Sequence, residues 1–285
     1  MGLQKFNPHR NGRMSIETHR SMVKAWECDS FGHFTVAYYF DRFADASATL
    51  LERLGIEGGR SVHYLARFIA ELRAGEVFHI ESGVISTGEG ELRLGHRLLN
   101  SATEKLCSTV EERVEVPPGG PRPMGTAIDW EAAKEDPGFA DEMTAGLVAS
   151  ARDRVRATEV DATGGLALAS YVHRSSIGCI QLLTAMGLTP DYLREARRGF
   201  STFEVALRLD PPRPKPGDPL ALTSGLMQLG SSSVRMIHRI ADARSGRRVG
   251  TLRQSGVHFD LEARRSAPIP QELRGKAAAL VMRAG

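Results

Sequence analysis

The sequence predicts an α+β chain made of two tandem copies of one unit. Each unit is an antiparallel sheet wrapped around a long central helix, and the two pair as an intrachain pseudo-dimer. Three observations predict this. First, 285 residues suit two domains of about 150 residues each. Second, the chain repeats itself: displaced by 132 residues, Val23–Gly55 lies over Val155–Gly187 with 11 of 33 positions identical and no gap. Third, each copy holds one segment of helical period followed by runs rich in β-formers.

The repeat sets the boundaries. Beyond the helix the offset grows to 142, and Ser82, Gly83, Gly88, Arg93, His96 and Arg97 all recur in Leu220–Arg239. The extra ten residues enter through a proline-rich stretch, Pro211–Asp218, which suits a rigid connection rather than a strand. The units span residues 16–117 and 150–262. Between them, 118–149 reads as a linker: Pro117–Gly125 is rich in Pro and Gly, and a short helix is expected over about Asp129–Ala151. A tail, 263–285, is expected to cover the edge of the second unit.

Within the first copy, Ser21–Cys28 alternates as a strand and Asp29–His33 reads as a turn. From Thr35 to Leu54, Val36, Phe40, Phe43, Ser47, Leu50 and Leu54 recur at steps of three and four, which buries one helix face. Gly55 stands where a helix C-terminal glycine belongs. The second helix is expected over about Ala167–Met186, burying Val172, Ser176, Ile180 and Leu183. Four antiparallel strands follow each helix, at about 62–73, 77–87, 91–101 and 105–116 in the first copy. A curved sheet supplies the apolar cover such a helix needs.

Composition narrows the function classes. The chain is 41% hydrophobic and 25% charged, and no run approaches the roughly 18 apolar residues of a membrane span. The first residues are polar and basic, unlike a secretory signal. Cys28, Cys107 and Cys179 form no CxxC pair, so a reducing, cytoplasmic setting is expected without disulfides. The histidines show no HxH or HExxH spacing, so no metal is expected. Basic residues are scattered and match no nucleic-acid-binding signature. Arginine far outnumbers lysine, which suits a small polyanionic ligand with phosphates as well as it suits solvated surface.

The chemistry concentrates in Glu27–Phe40. An acid at a strand end, a glycine and then a helix start form a prepared site. The first helical turn carries unpaired N–H groups able to polarise a carbonyl, and its dipole keeps a nearby carboxylate ionised. Gly32 permits a tight turn and close approach of a ligand. The plainer reading of Asp29 is a turn or helix-cap aspartate. No G-x-S-x-G elbow and no glycine-rich phosphate loop occur. Cys28 should point away from Asp29 as a strand neighbour. Tyr39, Tyr171, Arg42 and Arg174 read as core or ion-pair residues, and His96-Arg97 and His238-Arg239 as strand residues paired with backbone or a carboxylate.

D-x-x-G-H followed by a tyrosine-bearing helix that ends in Leu-Gly resembles the hydroxybenzoyl-CoA thioesterase-like branch of the hotdog superfamily, over most of both copies. The resemblance implies hydrolysis of an acyl-CoA to a free acid and CoA. Asp29 would be nucleophile or general base and the Val36 amide the oxyanion donor, with Gly32 and His33 in support. It implies a site between two units and no cofactor beyond the coenzyme A of the substrate. Thr35 stands where many relatives have Asn. The second copy keeps Asp161 and Gly164 but has Gly165 for His33 and Ala167 for Thr35, so Asp161 is a second, degenerate candidate. The copies are expected to have specialised, one supplying the reactive carboxylate and the other mainly shape. A non-catalytic acyl-CoA-binding module and a hotdog enoyl-thioester hydratase or dehydratase remain as rivals. Whether two chains pair again as a homodimer stays open.

Overall fold

The computed structural model describes residues 15–117, 126–131 and 138–283. Unit one runs β1 (Ile16–Met22), α1 (Val36–Arg53), β2 (Arg60–Phe68), β3 (Val77–Gly88), β4 (Glu91–Asn100) and β5 (Leu106–Glu115). Unit two repeats this order as β6 (Val148–Arg154), α2 (Leu168–Ala185), β7 (Arg198–Leu209), β8 (Pro219–Leu229), β9 (Ser233–Asp242) and β10 (Arg248–Asp260). A short α3 (Pro190–Glu195) precedes β7, and β11 (Arg265–Ser266) and α4 (Gln271–Ala278) follow β10.

The strands form one antiparallel sheet in the order β1-β3-β4-β5-β2-β7-β10-β9-β8-β6, with β11 on β10. Each half is the same five-strand pattern, and the halves meet where β2 pairs with β7, Tyr64 opposite Leu207 and Ala66 opposite Val205. Joining the units there covers an edge each would otherwise leave open. The two helices lie together under this sheet, with Tyr38 of α1 meeting His173 of α2 edge-on at 5.3 Å between ring centroids.

α1 starts and stops as its sequence predicts. Thr35 is extended, Val36 opens the helix, and Gly55 follows in the left-handed region (φ +66°). Its buried face is Ala37, Tyr39, Phe40, Phe43, Ala46, Ser47 and Leu50. α2 turns a different face inward than its spacing suggests. Tyr171, Val172, Ser175, Cys179, Leu182 and Leu183 are buried, whereas Ser176 and Ile180 are exposed. The cause is Gly178, which seats the helix backbone so closely on β8 and β9 that an added Cβ would lie 2.3 Å from Ser224 Oγ. The repeat already carried this register, since Phe43, Ser47 and Leu50 correspond to Ser175, Cys179 and Leu182.

Two local expectations change. The first strand ends at Met22; Ala25–Glu27 is a 3-10 turn because Glu27 folds back to accept the Lys24 N–H at 2.9 Å. The helix expected over 129–151 is absent from the described residues of that span. Residues 138–147 are irregular and β6 starts at Val148. The described residues of the linker instead lie along the outside of the sheet. Ala127 bridges Val84, Trp130 sits against Gly95, and Phe139 packs with Leu65, Ala206 and Ile237. Most of the Pro117–Gly125 stretch and residues 132–137 fall outside the described residues.

The tail repeats this arrangement. Val281 bridges Leu226, the residue matching Val84, and Met282 crosses Gly225, the residue matching Gly83. A Cβ on Gly83 would lie 2.8 Å from Ile128 Cβ, and one on Gly225 2.2 Å from Met282 Sδ. The recurring Ser-Gly is thereby explained: the glycine admits the crossing segment and the serine faces inward.

Inward, Ser82 Oγ lies 2.7 Å from His96 Nδ1, and Ser224 Oγ 2.9 Å from His238 Nδ1. Burial pushes the His238 imidazole down to about 4. The folded chain therefore keeps His238 neutral, while the unfolded chain binds a proton near pH 6.5. The unfolded state binds more protons between these values, so stability present above pH 6.5 is lost as pH falls toward 4. By pH 5 the loss should reach roughly 2 kcal/mol. Denaturant midpoints at pH 7.5 and 5.0 measure it, and His238→Gln should flatten the slope. An unaltered slope in that variant would assign the acid sensitivity elsewhere.

Candidate active site

The segment between β1 and α1 is fastened before it presents any side chain. Glu27 is buried and pairs with Arg42 of α1; Glu159 makes the matching pair with Arg174 at 3.1 Å. The recurring Glu and Arg thus tie the 3-10 turn after the first strand to the helix in both units. Cys28 packs against the core with its thiol pushed up by burial, so it is a poor nucleophile.

Asp29 opens a tight turn. Its backbone N–H donates to His33 O at 2.8 Å, and Gly32 N–H donates to Asp29 O at 3.0 Å. Gly32 sits at φ +76°, which explains the glycine by the turn itself. The Asp29 side chain accepts the Phe31 and His33 amides on one oxygen, at 2.8 and 3.0 Å. The second oxygen, Oδ2, has no partner among the described residues. His33 is fixed by the β2–β3 loop: its Nε2 lies 3.2 Å from Glu71 Oε2 and 3.0 Å from Arg73 Nη2.

These residues border one cavity of about 580 Å³. Asp29, His33, Thr35 and Val36 line it from unit one, together with Tyr39 and Phe68. Unit two contributes Val172 and Ser175 of α2, Thr202 and Val205 of β7, and Leu252 and Gln254 of β10. The cavity therefore lies between the units. Val36 N–H, the first amide of α1, has no acceptor among the described residues. Four of the five sequence candidates thus meet at one place, Asp29, His33 and Val36 on the cavity wall and Gly32 in the turn between them. Exposed lining residues mark the mouth, and three are cationic: Arg73, Lys105 and Arg264. Glu71 is shared there by His33, Arg73 and Arg264, the last from the tail after β10 at 2.8 Å.

Asp161 is placed differently. The backbone turn is the same, with Asp161 N–H to Gly165 O at 3.0 Å and Gly164 at φ +76°. Its carboxylate, however, is taken by Arg213 at 2.6 Å and by the Thr163 N–H and hydroxyl. Burial alone would push its pKa up, but the Thr163 and Arg213 hydrogen bonds outweigh that and hold it below the usual range. Arg213 belongs to the Pro211–Asp218 insertion and passes directly over Gly165, where a Cβ would lie 2.8 Å from its Nε. Asp161 does not line the cavity.

The side chains explain the asymmetry. Val172 and Ser175 line the cavity beside Asp29, and their counterparts in unit one are Phe40 and Phe43. Val205 faces Gln254 across β7–β10, as Tyr64 faces Glu112 across β2–β5. Phe40, Phe43 and Tyr64 are all buried, so large side chains fill around Asp161 what small ones leave open around Asp29. Sequence reasoning missed Arg213, Tyr64, Val205 and Gln254. A usable signal for Arg213 existed: a lone arginine in the insertion beside a position where the second copy has glycine for histidine.

A helix wrapped by an antiparallel sheet, duplicated and joined through one continuous sheet, is the double-hotdog architecture of thioester hydrolases. The chain matches the family model of the Thioesterase-like superfamily over residues 23–116 and 155–277, and it belongs to that superfamily. No curated protein sequence matches the chain significantly. Among solved structures, it is similar to an acyl-ACP thioesterase from Bacteroides thetaiotaomicron (TM-score 0.66, 10% identity, covering 86% of this chain and 98% of that one). It is also similar to a 12:0-ACP thioesterase from Umbellularia californica (TM-score 0.60, 11% identity, 86% and 94% covered). A third is the tesB protein of Mycobacterium avium subsp. paratuberculosis (TM-score 0.51, 12% identity, 88% and 94% covered). At these identities the structural likeness speaks for the fold. Among the described residues no helix is long and apolar enough to cross a membrane, and no cluster of three or more His, Cys, Asp or Glu is placed to hold a metal.

Proposed function

We propose that the chain hydrolyses acyl-CoA thioesters at the cavity beside Asp29. The observation that carries this reading is the meeting, on one cavity wall, of a carboxylate with a free oxygen and the unpaired first amide of a helix. The thioester carbonyl lies against the Val36 N–H. Asp29 either removes a proton from an attacking water or attacks the carbonyl itself, and the acyl-enzyme is then hydrolysed. The oxyanion forms at the positive end of α1, where the amide and the helix dipole stabilise it. The carbon–sulfur bond breaks, and the CoA thiolate leaves and is protonated by solvent. Gly32 shapes the turn, and His33, held by Glu71 and Arg73, keeps the turn against the β2–β3 loop.

Arg73, Lys105 and Arg264 at the mouth fit the phosphates of coenzyme A. Removing Arg73 and Arg264 together (to Ala) should raise KM for acyl-CoA about tenfold or more. It should leave KM for an acyl-pantetheine lacking phosphate within about twofold. Equal losses on both substrates would place the phosphates elsewhere.

Purified protein, a panel of acyl-CoAs and a thiol reagent test the reaction. Free CoA release that depends on Asp29 supports hydrolysis. Binding without release would make this a carrier module, and loss of enoyl absorbance without free thiol would make it a hydratase.

A further inference from the structure

Both units place the same polar group behind the helix and differ in what stands before it. In unit one His96 Nε2 lies 3.0 Å from Glu112 Oε2, and Glu112 Oε1 accepts the hydroxyls of Ser47, at 2.9 Å, and Ser61. The Tyr64 phenol closes the group by standing beside Ser61 and Glu112, its cross-strand neighbour, with the Phe40 ring 6.2 Å away between centroids. In unit two the same positions carry His238, Gln254, Cys179 and Thr202. Gln254 Nε2 donates to Thr202 Oγ1 at 2.6 Å and contacts Cys179 Sγ at 3.6 Å. His238 Nε2 lies beside Gln254 without a well-formed hydrogen bond. No phenol closes this group, because Val205 stands where Tyr64 would, and Gln254 and Thr202 line the cavity instead.

We propose that Gln254, with Thr202, is the specificity-determining contact of the acyl cavity, and that it selects acyl groups carrying a hydroxyl. The inference rests on the thioesterase reading of the site. The substrate hydroxyl takes, against Gln254, the place that the Tyr64 hydroxyl takes against Glu112. Whichever way the Gln254 amide is oriented, the Gln–Thr pair keeps one donor and one acceptor to offer, and a hydroxyl answers both. A plain hydrocarbon chain would strip water from this pair and return no hydrogen bond, which disfavours it. A carboxylate at the same point would meet a neutral amide and a hydroxyl, and among the described residues no cation is bonded to either.

The test compares acyl-CoAs of equal length with and without a hydroxyl, its position varied along the chain or ring. Wild type should favour the best-placed hydroxyacyl-CoA by about 10–100-fold in kcat/KM. Gln254→Leu, close in volume, should bring that ratio near one, and Thr202→Val should reduce it. Thermal melts report whether each variant folds. Val205→Tyr serves as a second probe: it rebuilds the unit-one arrangement and should exclude hydroxylated and plain acyl groups alike. A wild-type preference for the hydrocarbon, or an equal preference in wild type and Gln254→Leu, overturns the proposal. If no acyl-CoA is hydrolysed, the thioesterase reading fails. Calorimetric binding of the same matched pairs then decides the Gln254 claim by the same ratio.

Discussion

Asp29→Asn should lower kcat for acyl-CoA hydrolysis by about 10²–10⁴-fold, the range over which a positioned general base acts. The variant separates chemistry from folding. One Asp29 oxygen accepts the Phe31 and His33 amides, and the asparagine carbonyl can keep both. What disappears is the charge and basicity of the free oxygen facing the cavity. The melting temperature should therefore stay close to wild type while free CoA release collapses. Asp161→Asn is the internal control. Asp161 is engaged by Arg213 and stands off the cavity, so its replacement should leave turnover within about twofold and instead loosen the insertion. A wild-type rate in Asp29→Asn, measured on protein with an unaltered melt, would remove Asp29 from the mechanism. Equal losses in the two variants would restore two sites per chain.

Val36→Pro should lower kcat by about 10²–10³-fold by deleting a single hydrogen. Elsewhere in a helix proline would break the structure. Val36, however, is the first helical residue, whose N–H has no intrahelical partner, and proline is accepted there. The preceding residue agrees: Thr35 has φ −70° and ψ 137°, the extended conformation that a following proline requires. Val36→Ala keeps the amide and trims a half-buried side chain, so it measures the packing contribution alone. If Val36→Pro turns over as fast as Val36→Ala, the oxyanion is held by some other donor.

The fold was legible because duplication made the sequence its own alignment. The two helices, their glycine ends and the strand succession emerge from 3.6 and 2.0 periods seen twice, and each copy checks the other. Legibility failed where tertiary contact overrides the local pattern. The face of α2 was misread at Ser176 and Ile180 because Gly178 settles the helix onto β8 and β9. In the described residues of its span, the expected linker helix gave way to irregular chain because the sheet exterior offers Gly95, Leu65 and Ala206 to cover. Glu27 left its strand because its carboxylate closes a turn and pairs with Arg42.

The candidate site divides in the same way. By itself the sequence determined the turn, the carboxylate and the helix mouth, since Asp29, Gly32, His33 and Val36 lie within eight residues and their conformation is local. The same turn recurs at Asp161 with a matching backbone, and Gly165 in place of His33 already marked that copy as degenerate. Only the tertiary structure decided what makes the two turns unequal. Cavity space depends on side chains far apart in sequence: Val172, Ser175 and Val205 leave room beside Asp29. Phe40, Phe43 and Tyr64, with Arg213 laid over Gly165, fill the corresponding room beside Asp161. Volume and ion pairing are properties of packed neighbours, and a linear pattern carries no measure of either.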